Sequence, residues 1–325
     1  MYPTRIKPVA KHMIWGGNRL VDEYGLETNE NKVAEAWMLS CNEAGPSLVL
    51  DGPLAQNTLS TAIGSELSEV LGQNNVQTDY FPVLIKLIDA HEDLSIQVHP
   101  DDTYAEENGL ISGKTELWYI LDAEKDAYIY YGFSREVSKE DLKSHIENKT
   151  LPEILNCVPV EKGDVFFIES GVIHAIGAGI LLMEIQQNSN TTYRVYDYDR
   201  KDDAGNMRDL HLEQALEVVD RSVIGREAIH PVVEEGDGHL FSRLMQCSYF
   251  TVDRLDVKTH ADGLCGADSF VSIVITQGTG KIRFENSQYG TDGEMTFRKG
   301  DSIFLPAGTG RFRIEGKCEA FFTRR

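Results

Sequence analysis

The chain is short of basic residues. Against 52 Asp and Glu it carries only 31 Lys and Arg, a formal net charge of −21 over 325 residues. A field of that sign repels nucleic acid and anionic membrane surfaces, so neither is an expected partner. It also repels an anionic small substrate at a distance, and binding one requires a local cluster of Lys and Arg. Cysteine is sparse too: Cys41, Cys157, Cys247, Cys265 and Cys318 are scattered, with no pair at metal-ligand spacing. An odd, dispersed set reads as free thiols in a reducing compartment rather than a disulfide framework. Long apolar runs are missing as well. The most apolar stretch, Val165 to Ile185, is broken by Glu169, His174 and Glu184, which is too interrupted to span a bilayer. Met1 to Gly17 carries Lys and His without a continuous apolar core, so no secretory leader is expected and the cytoplasm is the default location.

What is present is mostly strand signal. Leu117 to Leu121, Tyr128 to Tyr131, Val165 to Ile168 and Ile180 to Met183 are short, aromatic or aliphatic, and punctuated by Gly or Asp. Closely spaced runs that are apolar on both faces suit the inner sheets of a jelly roll. Helices enter as insertions. Ser138-Lys139-Glu140-Asp141 has the form of a capping box, with Val137 and Leu142 as its hydrophobic staple. Leu212, Ala215, Leu216 and Val219 fall at helical spacing with one buried face, and a third helix is expected near Leu67, Val70 and Leu71.

One segment occurs twice. Lys162-Gly163-Asp164-Val165-Phe166-Phe167-Ile168 is echoed by Lys299-Gly300-Asp301-Ser302-Ile303-Phe304-Leu305, and each copy then reaches a glycine, Gly171 or Gly308. His174 lies 11 positions after Gly163, and Arg311 lies 11 after Gly300. A chance repeat of a common turn is the alternative; duplication of a barrel strand-turn-strand is the reading adopted. On it the fold is mainly β, a double jelly roll with helical insertions. Residues 1–225 form a metal-binding barrel and residues 237–325 a second, metal-free one, joined by the stretch from about Gly225 to Gly236.

The chemistry gathers in the first barrel. In Gln97-Val98-His99, residues 97 and 99 point to one face of a strand and enter one interior. Glu116 opens the apolar strand Leu117 to Leu121, where a buried carboxylate needs a cation, and Lys114 two residues earlier is the simplest one. His174 sits in Gly171-Val172-Ile173-His174-Ala175-Ile176-Gly177, a small-residue turn that brings it to a barrel mouth. Two histidines and a carboxylate suit a divalent transition metal held on three sides and open on the fourth. Downstream, Arg194, Tyr196 and Tyr198 alternate with Tyr193 and Val195, either as a solvated edge strand or as the lining of a sugar-phosphate pocket.

These motifs resemble the class I mannose-6-phosphate isomerases (phosphomannose isomerases) in their short bacterial form, members of the cupin superfamily. The likeness covers Ile14 to Gly17, Phe81 to Ala90, Ser95 to Pro100, Gly113 to Glu116, the segment around His174, and Tyr193 to Asp197, in the family's order. One departure is Ala34-Glu35-Ala36-Trp37, where the family usually shows Gly-Glu-x-Trp; Trp37 and Ser40 remain. The resemblance implies interconversion of mannose 6-phosphate and fructose 6-phosphate through an enediol, with one Zn2+ per chain as cofactor. It implies His99, Glu116 and His174 as metal ligands, with Gln97 offering a fourth, and Arg194 and Lys114 as catalytic residues. Gln97, Lys114 and Arg194 would bind the substrate, and Arg200 and Lys86 would add local positive charge to receive a small phosphorylated sugar. The base that moves the carbon-bound proton stays open among a metal-activated water, Lys114 and a nearby carboxylate. Two other readings use the same ligands: a sugar-phosphate-binding protein without turnover, and a cupin Fe(II) oxygenase. Neither composition nor motif carries an oligomeric state.

Overall fold

The computed structural model describes the chain except for residues 31, 76–78, 202–203, 226 and 286–292. Strands dominate it, in three antiparallel sheets among the described residues. A six-stranded sheet runs in the order Val165–Ile168, Glu116–Ala123, Ile180–Gln187, Val83–Ala90, Glu35–Leu39, Val9–Lys11. A five-stranded sheet runs Tyr193–Tyr196, Ile96–Val98, His174–Ile176, Tyr128–Phe133, Leu155–Pro159. Trp118, Ile120, Ile168 and Leu182 from the first pack with Ile129, Val158 and Ile176 from the second, so the two sheets face each other around one core.

The six-stranded sheet is apolar on both faces because both are covered. Leu117, Tyr119, Leu121, Leu87 and Met183, which alternate with the residues just named, pack against Phe250, Val274, Phe304 and Phe321 of the C-terminal strands. This explains the unbroken runs that the sequence shows where a half-exposed sheet would alternate. The third sheet has ten strands and curls around its own core, in which Ile273, Ile275, Ile303, Phe312 and Phe322 meet. It also takes in the N-terminal strand Thr4–Lys7, paired with Ser302–Leu305, and the short strand Leu48–Val49. Gly225 to Gly236 is not a bare connection: Ile229 bridges to Val165, and Glu234–Gly236 is itself a strand.

The three expected helices are present, at Leu67–Leu71, Lys139–Glu147 and Leu212–Val218, and Arg19–Asp22, Leu59–Ile63 and Asp102–Glu107 are helical without having been expected. The Ser138 side chain accepts from the Asp141 amide at 3.0 Å, and Val137 and Leu142 are buried together. The box is not reciprocal, because the Asp141 carboxylate turns to Arg135 instead. The alternation expected through Tyr198 stops early. The strand ends at Tyr196, and Tyr198 and Asp199 take φ of 56° and 54°, the left-handed region. Among the described residues no helix is long and apolar enough to cross a membrane.

Candidate metal centre

Three strands and a short turn bring the donors together. His99 follows directly on the strand Ile96–Val98 rather than lying within it, and Pro100 ends the pairing there. Glu116 opens Glu116–Ala123, and His174 opens His174–Ile176, paired with Gln97 across the sheet. All three side chains are at most 1% exposed, and their ligand atoms lie within 4.8 Å of one another. Nε2 of His99 stands 3.5 Å from one Glu116 oxygen, and Nε2 of His174 stands 3.4 Å from the other.

Each imidazole is oriented from behind. Nδ1 of His99 lies 3.0 Å from the Thr191 carbonyl, and Nδ1 of His174 lies 2.8 Å from the Val172 carbonyl. A carbonyl only accepts, so these contacts assign the proton to Nδ1 and leave the Nε2 lone pairs aimed at Glu116. Burial, and after it Lys114, holds His99 well below the ordinary imidazole range. Burial pushes His174 down to about 4. Both rings are therefore neutral near pH 7, the form that binds a metal.

Glu116 has the opposite problem. Burial first, and then the Glu184 carboxylate, push it above the ordinary range against the pull of Lys114. Lys114 Nζ sits 2.9 Å from a Glu116 oxygen and 3.0 Å from His99 Nε2, so the expected lysine partner is in place. Even so, both carboxylate oxygens are buried with no directed hydrogen bond among the described residues. A fully buried carboxylate with one oxygen met by Lys114 and both facing neutral imidazole nitrogens is a donor set that a divalent cation fits.

The remaining sequence candidates border this centre. Gln97 Nε2 is 3.4 Å from His174 Nε2. Arg194 is Gln97's partner across the strands, so both project from the same face. Its guanidinium donates to Ser95 Oγ at 3.3 Å and to the Asp209 carbonyl at 2.9 Å, and no hydrogen bond joins it to the triad among the described residues.

Sequence reasoning counted Lys86 as positive charge for the substrate and passed over its partners, which neutralise it. Lys86 and Glu184 face each other across two strands and pair at 2.8 Å, with Glu35 at 3.7 Å from the same ammonium. Trp118 Nε1 donates to Glu184 at 3.0 Å, and Trp37 Nε1 donates to Glu35 at 2.6 Å. Burial works against the Lys86 ammonium, but Glu184 and then Glu35 outweigh it and raise its pKa. The signal was available: one Lys in Val83–Ala90 and one Glu in Ile180–Gln187, each alone among apolar neighbours.

With this geometry in view, likeness to known proteins becomes informative. The profile of the phosphomannose isomerase type I catalytic domain matches residues 4–147, and that of the mannose-6-phosphate isomerase cupin domain matches residues 242–324. The chain is 41% identical over 320 residues to the mannose-6-phosphate isomerase ManA of Bacillus subtilis, covering 98% of this chain and 97% of that one. The chain belongs to the type I phosphomannose isomerase family. A mannose-6-phosphate isomerase of Streptococcus mutans is 36% identical over 318 residues, 98% of this chain and 96% of the relative. The crystal structure of a mannose 6-phosphate isomerase from Bacillus subtilis superimposes with a TM-score of 0.90 at 36% identity, covering 99% of both chains. The double cupin architecture expected from the repeated turn is thus the architecture of the family.

Proposed function

We propose that this protein interconverts mannose 6-phosphate and fructose 6-phosphate, with one zinc ion per chain held by His99, Glu116 and His174. The observation that carries the reading is the buried His-Glu-His set in a chain that matches mannose-6-phosphate isomerases along nearly its whole length. Aldose–ketose isomerisation moves a proton between adjacent carbons through an enediol, and the charge that develops on oxygen must be stabilised. When bound, the zinc ion supplies Lewis acidity that polarises the sugar's oxygens.

The chain's own residues do the rest. Lys114, 4% exposed and already beside Glu116 and His99, holds the sugar oxygens. Gln97 orients the sugar from the adjoining strand, and Arg194, its cross-strand neighbour, stabilises the enediolate. Arg200 adds to the local positive charge that an acidic chain needs to hold a phosphorylated sugar, whereas Lys86 is taken up by Glu184 and Glu35. Residues 1–225 carry the chemistry on this reading, and residues 237–325 shield and support it. The five unpaired thiols agree with a cytoplasmic enzyme.

The test is conversion of mannose 6-phosphate to fructose 6-phosphate by the purified protein, with metal analysis, before and after chelation and zinc add-back. Activity lost to the chelator and restored by zinc supports the reading. Fully zinc-loaded protein that binds the sugar but does not turn it over leaves a binding role, and iron in place of zinc points to oxygen chemistry.

A further inference from the structure

Next to Arg194 the chain makes a turn whose Asp197, with the Arg208 that meets it, the reaction just described leaves unused. Asp197 is 5% exposed and holds two guanidinia. Arg200 Nη2 donates to its Oδ1 at 2.6 Å, and Arg200 Nη1 donates to the Asp93 carbonyl. Arg208 meets the same carboxylate edge-on, with Nε donating to Oδ2 at 2.7 Å and Nη2 to Oδ1 at 2.5 Å. The left-handed φ values of Tyr198 and Asp199 make the bend that carries Arg200 back onto Asp197. Non-glycine residues rarely adopt this conformation; here Arg200 closes onto Asp197 and Lys149 pairs with Asp199 at the bend.

Around Arg194 the described charges are of both signs. Arg194, Arg200 and Arg208 stand against Asp197 and the nearby Asp209. Burial first, and then the field of Arg208, hold the Arg194 guanidinium below its ordinary value, so these arginines feel one another. Arg208 is 23% exposed at its side chain, and its Nη1 makes no hydrogen bond among the described residues. One edge of the guanidinium is therefore fixed while Nη1 is left without a hydrogen bond among the described residues. Only arginine can do this, because an ammonium has no second edge to present.

We propose that Asp197 is a positioning residue and Arg208 a substrate-binding residue. Asp197 clamps the inner edge of Arg208 so that its free Nη1 stands beside Arg194 and receives the phosphate of the sugar. This rests on the sugar-phosphate reading above. The fork geometry suits a phosphate oxygen, and a preformed clamp spares the substrate the cost of ordering a long side chain.

The experiment uses the full-length, zinc-loaded protein. It combines steady-state kinetics on mannose 6-phosphate with calorimetric binding of inorganic phosphate, for Arg208→Gln, Arg208→Lys and Asp197→Asn. Arg208→Gln should raise KM and the phosphate Kd by roughly tenfold to a hundredfold, the worth of a charge-assisted hydrogen bond. Its kcat should stay within about threefold and its zinc content should not change. Arg208→Lys should recover part of the loss, and Asp197→Asn should move the same constants in the same direction. Wild-type turnover with unchanged KM and phosphate affinity in Arg208→Gln overturns the proposal, as does a fall in kcat at constant KM. If the wild type binds phosphate without isomerising the sugar, the isomerase reading fails, and the affinities of the Arg208 variants still decide the clamp. Arg208 is partly exposed, so its variants remain decisive even where Asp197→Asn does not fold.

Discussion

The two Lys-Gly-Asp units are nearly superimposable in their local physics and opposite in what they deliver. Gly163 and Gly300 take φ of 98° and 91°, and Asp164 and Asp301 each accept from the backbone amide three residues earlier, at 2.8 Å in both. Each strand ends in a turn with a second left-handed glycine, Gly171 at 88° and Gly308 at 77°. Beyond that turn the first unit places His174 at 0% exposure, whereas the second places Arg311 on the surface between Leu264 and Glu285. The interiors follow suit. The first holds Lys86, Lys114, Glu116, His174 and Glu184 among its apolar residues, and the second is filled by Ile, Val, Leu and Phe. The second core closes without a charged centre. On the proposed function, the charges are an expense the first barrel carries for chemistry rather than for folding.

The sharpest way to break that comparison is to remove the side chain at the equivalent place in each unit. His174→Ala should abolish metal binding and lower turnover by more than about a hundredfold. Arg311→Ala should leave both unchanged, since it removes only an exposed cation. Metal analysis and steady-state kinetics read both. Equal losses in the two variants would mean that the second barrel takes part in the reaction. Arg194→Ala separates binding of the metal from use of it. Turnover should fall by about a hundredfold to a thousandfold, the usual effect of removing one charge-stabilising donor, while metal content is retained. Loss of the metal would instead give Arg194 a structural role.

How much of this was legible in the sequence depends on whether neighbours in space were neighbours in the chain. Gln97, His99, Lys114 and Glu116 could be read because strand alternation fixes which residues share a face within a few positions. The turns were legible too, since glycine before Asp and an apolar run reports its own backbone geometry. The Lys86–Glu184 pair was not recognised, because its partners are 98 residues apart and only the register of two buried strands aligns them. The carbonyls of Thr191 and Val172 that orient the histidines leave no mark in the sequence, since every residue has one. Arg208 was missed because its partner Asp197 is 11 residues away and no local pattern marks the pairing. The pairing of Thr4–Lys7 with the C-terminal sheet was likewise invisible to a division drawn along the chain.

A second contrast concerns buried charge. Glu184→Gln leaves the fully buried Lys86 with only Glu35 at 3.7 Å, and should destabilise the protein by about 3–5 kcal/mol. In the second barrel Glu319 pairs with Arg254, a side chain 24% exposed, and also accepts from Thr276 Oγ1. Glu319→Gln should cost roughly 1–3 kcal/mol, because water can reach the stranded cation. Denaturant melts of the two variants measure the difference. The pH dependence provides a check on sign. Burial pushes the Glu184 carboxyl up, but Lys86 and then Lys114 outweigh it, so its folded value lies below the unfolded one. The stability it contributes is full above the ordinary carboxylate range and is lost as pH falls below that range. The wild-type advantage over Glu184→Gln should therefore shrink as pH falls below the ordinary carboxylate range. An advantage that grew toward low pH would contradict the assignment of the charged form.

The smallest effects test the turns themselves. Gly163 and Gly300 share a backbone conformation, so replacing either with Ala incurs the same strain from a side chain at positive φ, roughly 1–2 kcal/mol. Their surroundings differ. A Cβ on Gly163 would meet nothing nearer than the Tyr119 hydroxyl at 4.0 Å, whereas one on Gly300 would lie 2.1 Å from the Tyr24 carbonyl. Backbone cannot swing aside as a side chain can, so Gly300→Ala should add an overpacking cost and lose roughly 2–5 kcal/mol in all. The difference between the two variants, measured by denaturant unfolding, isolates the contact between the second unit and the N-terminal segment. Equal losses would show that conformation alone requires both glycines, and that the Tyr24 loop yields without resistance. A larger loss at Gly300 would mean that the unit without chemistry is the one more tightly built into the fold.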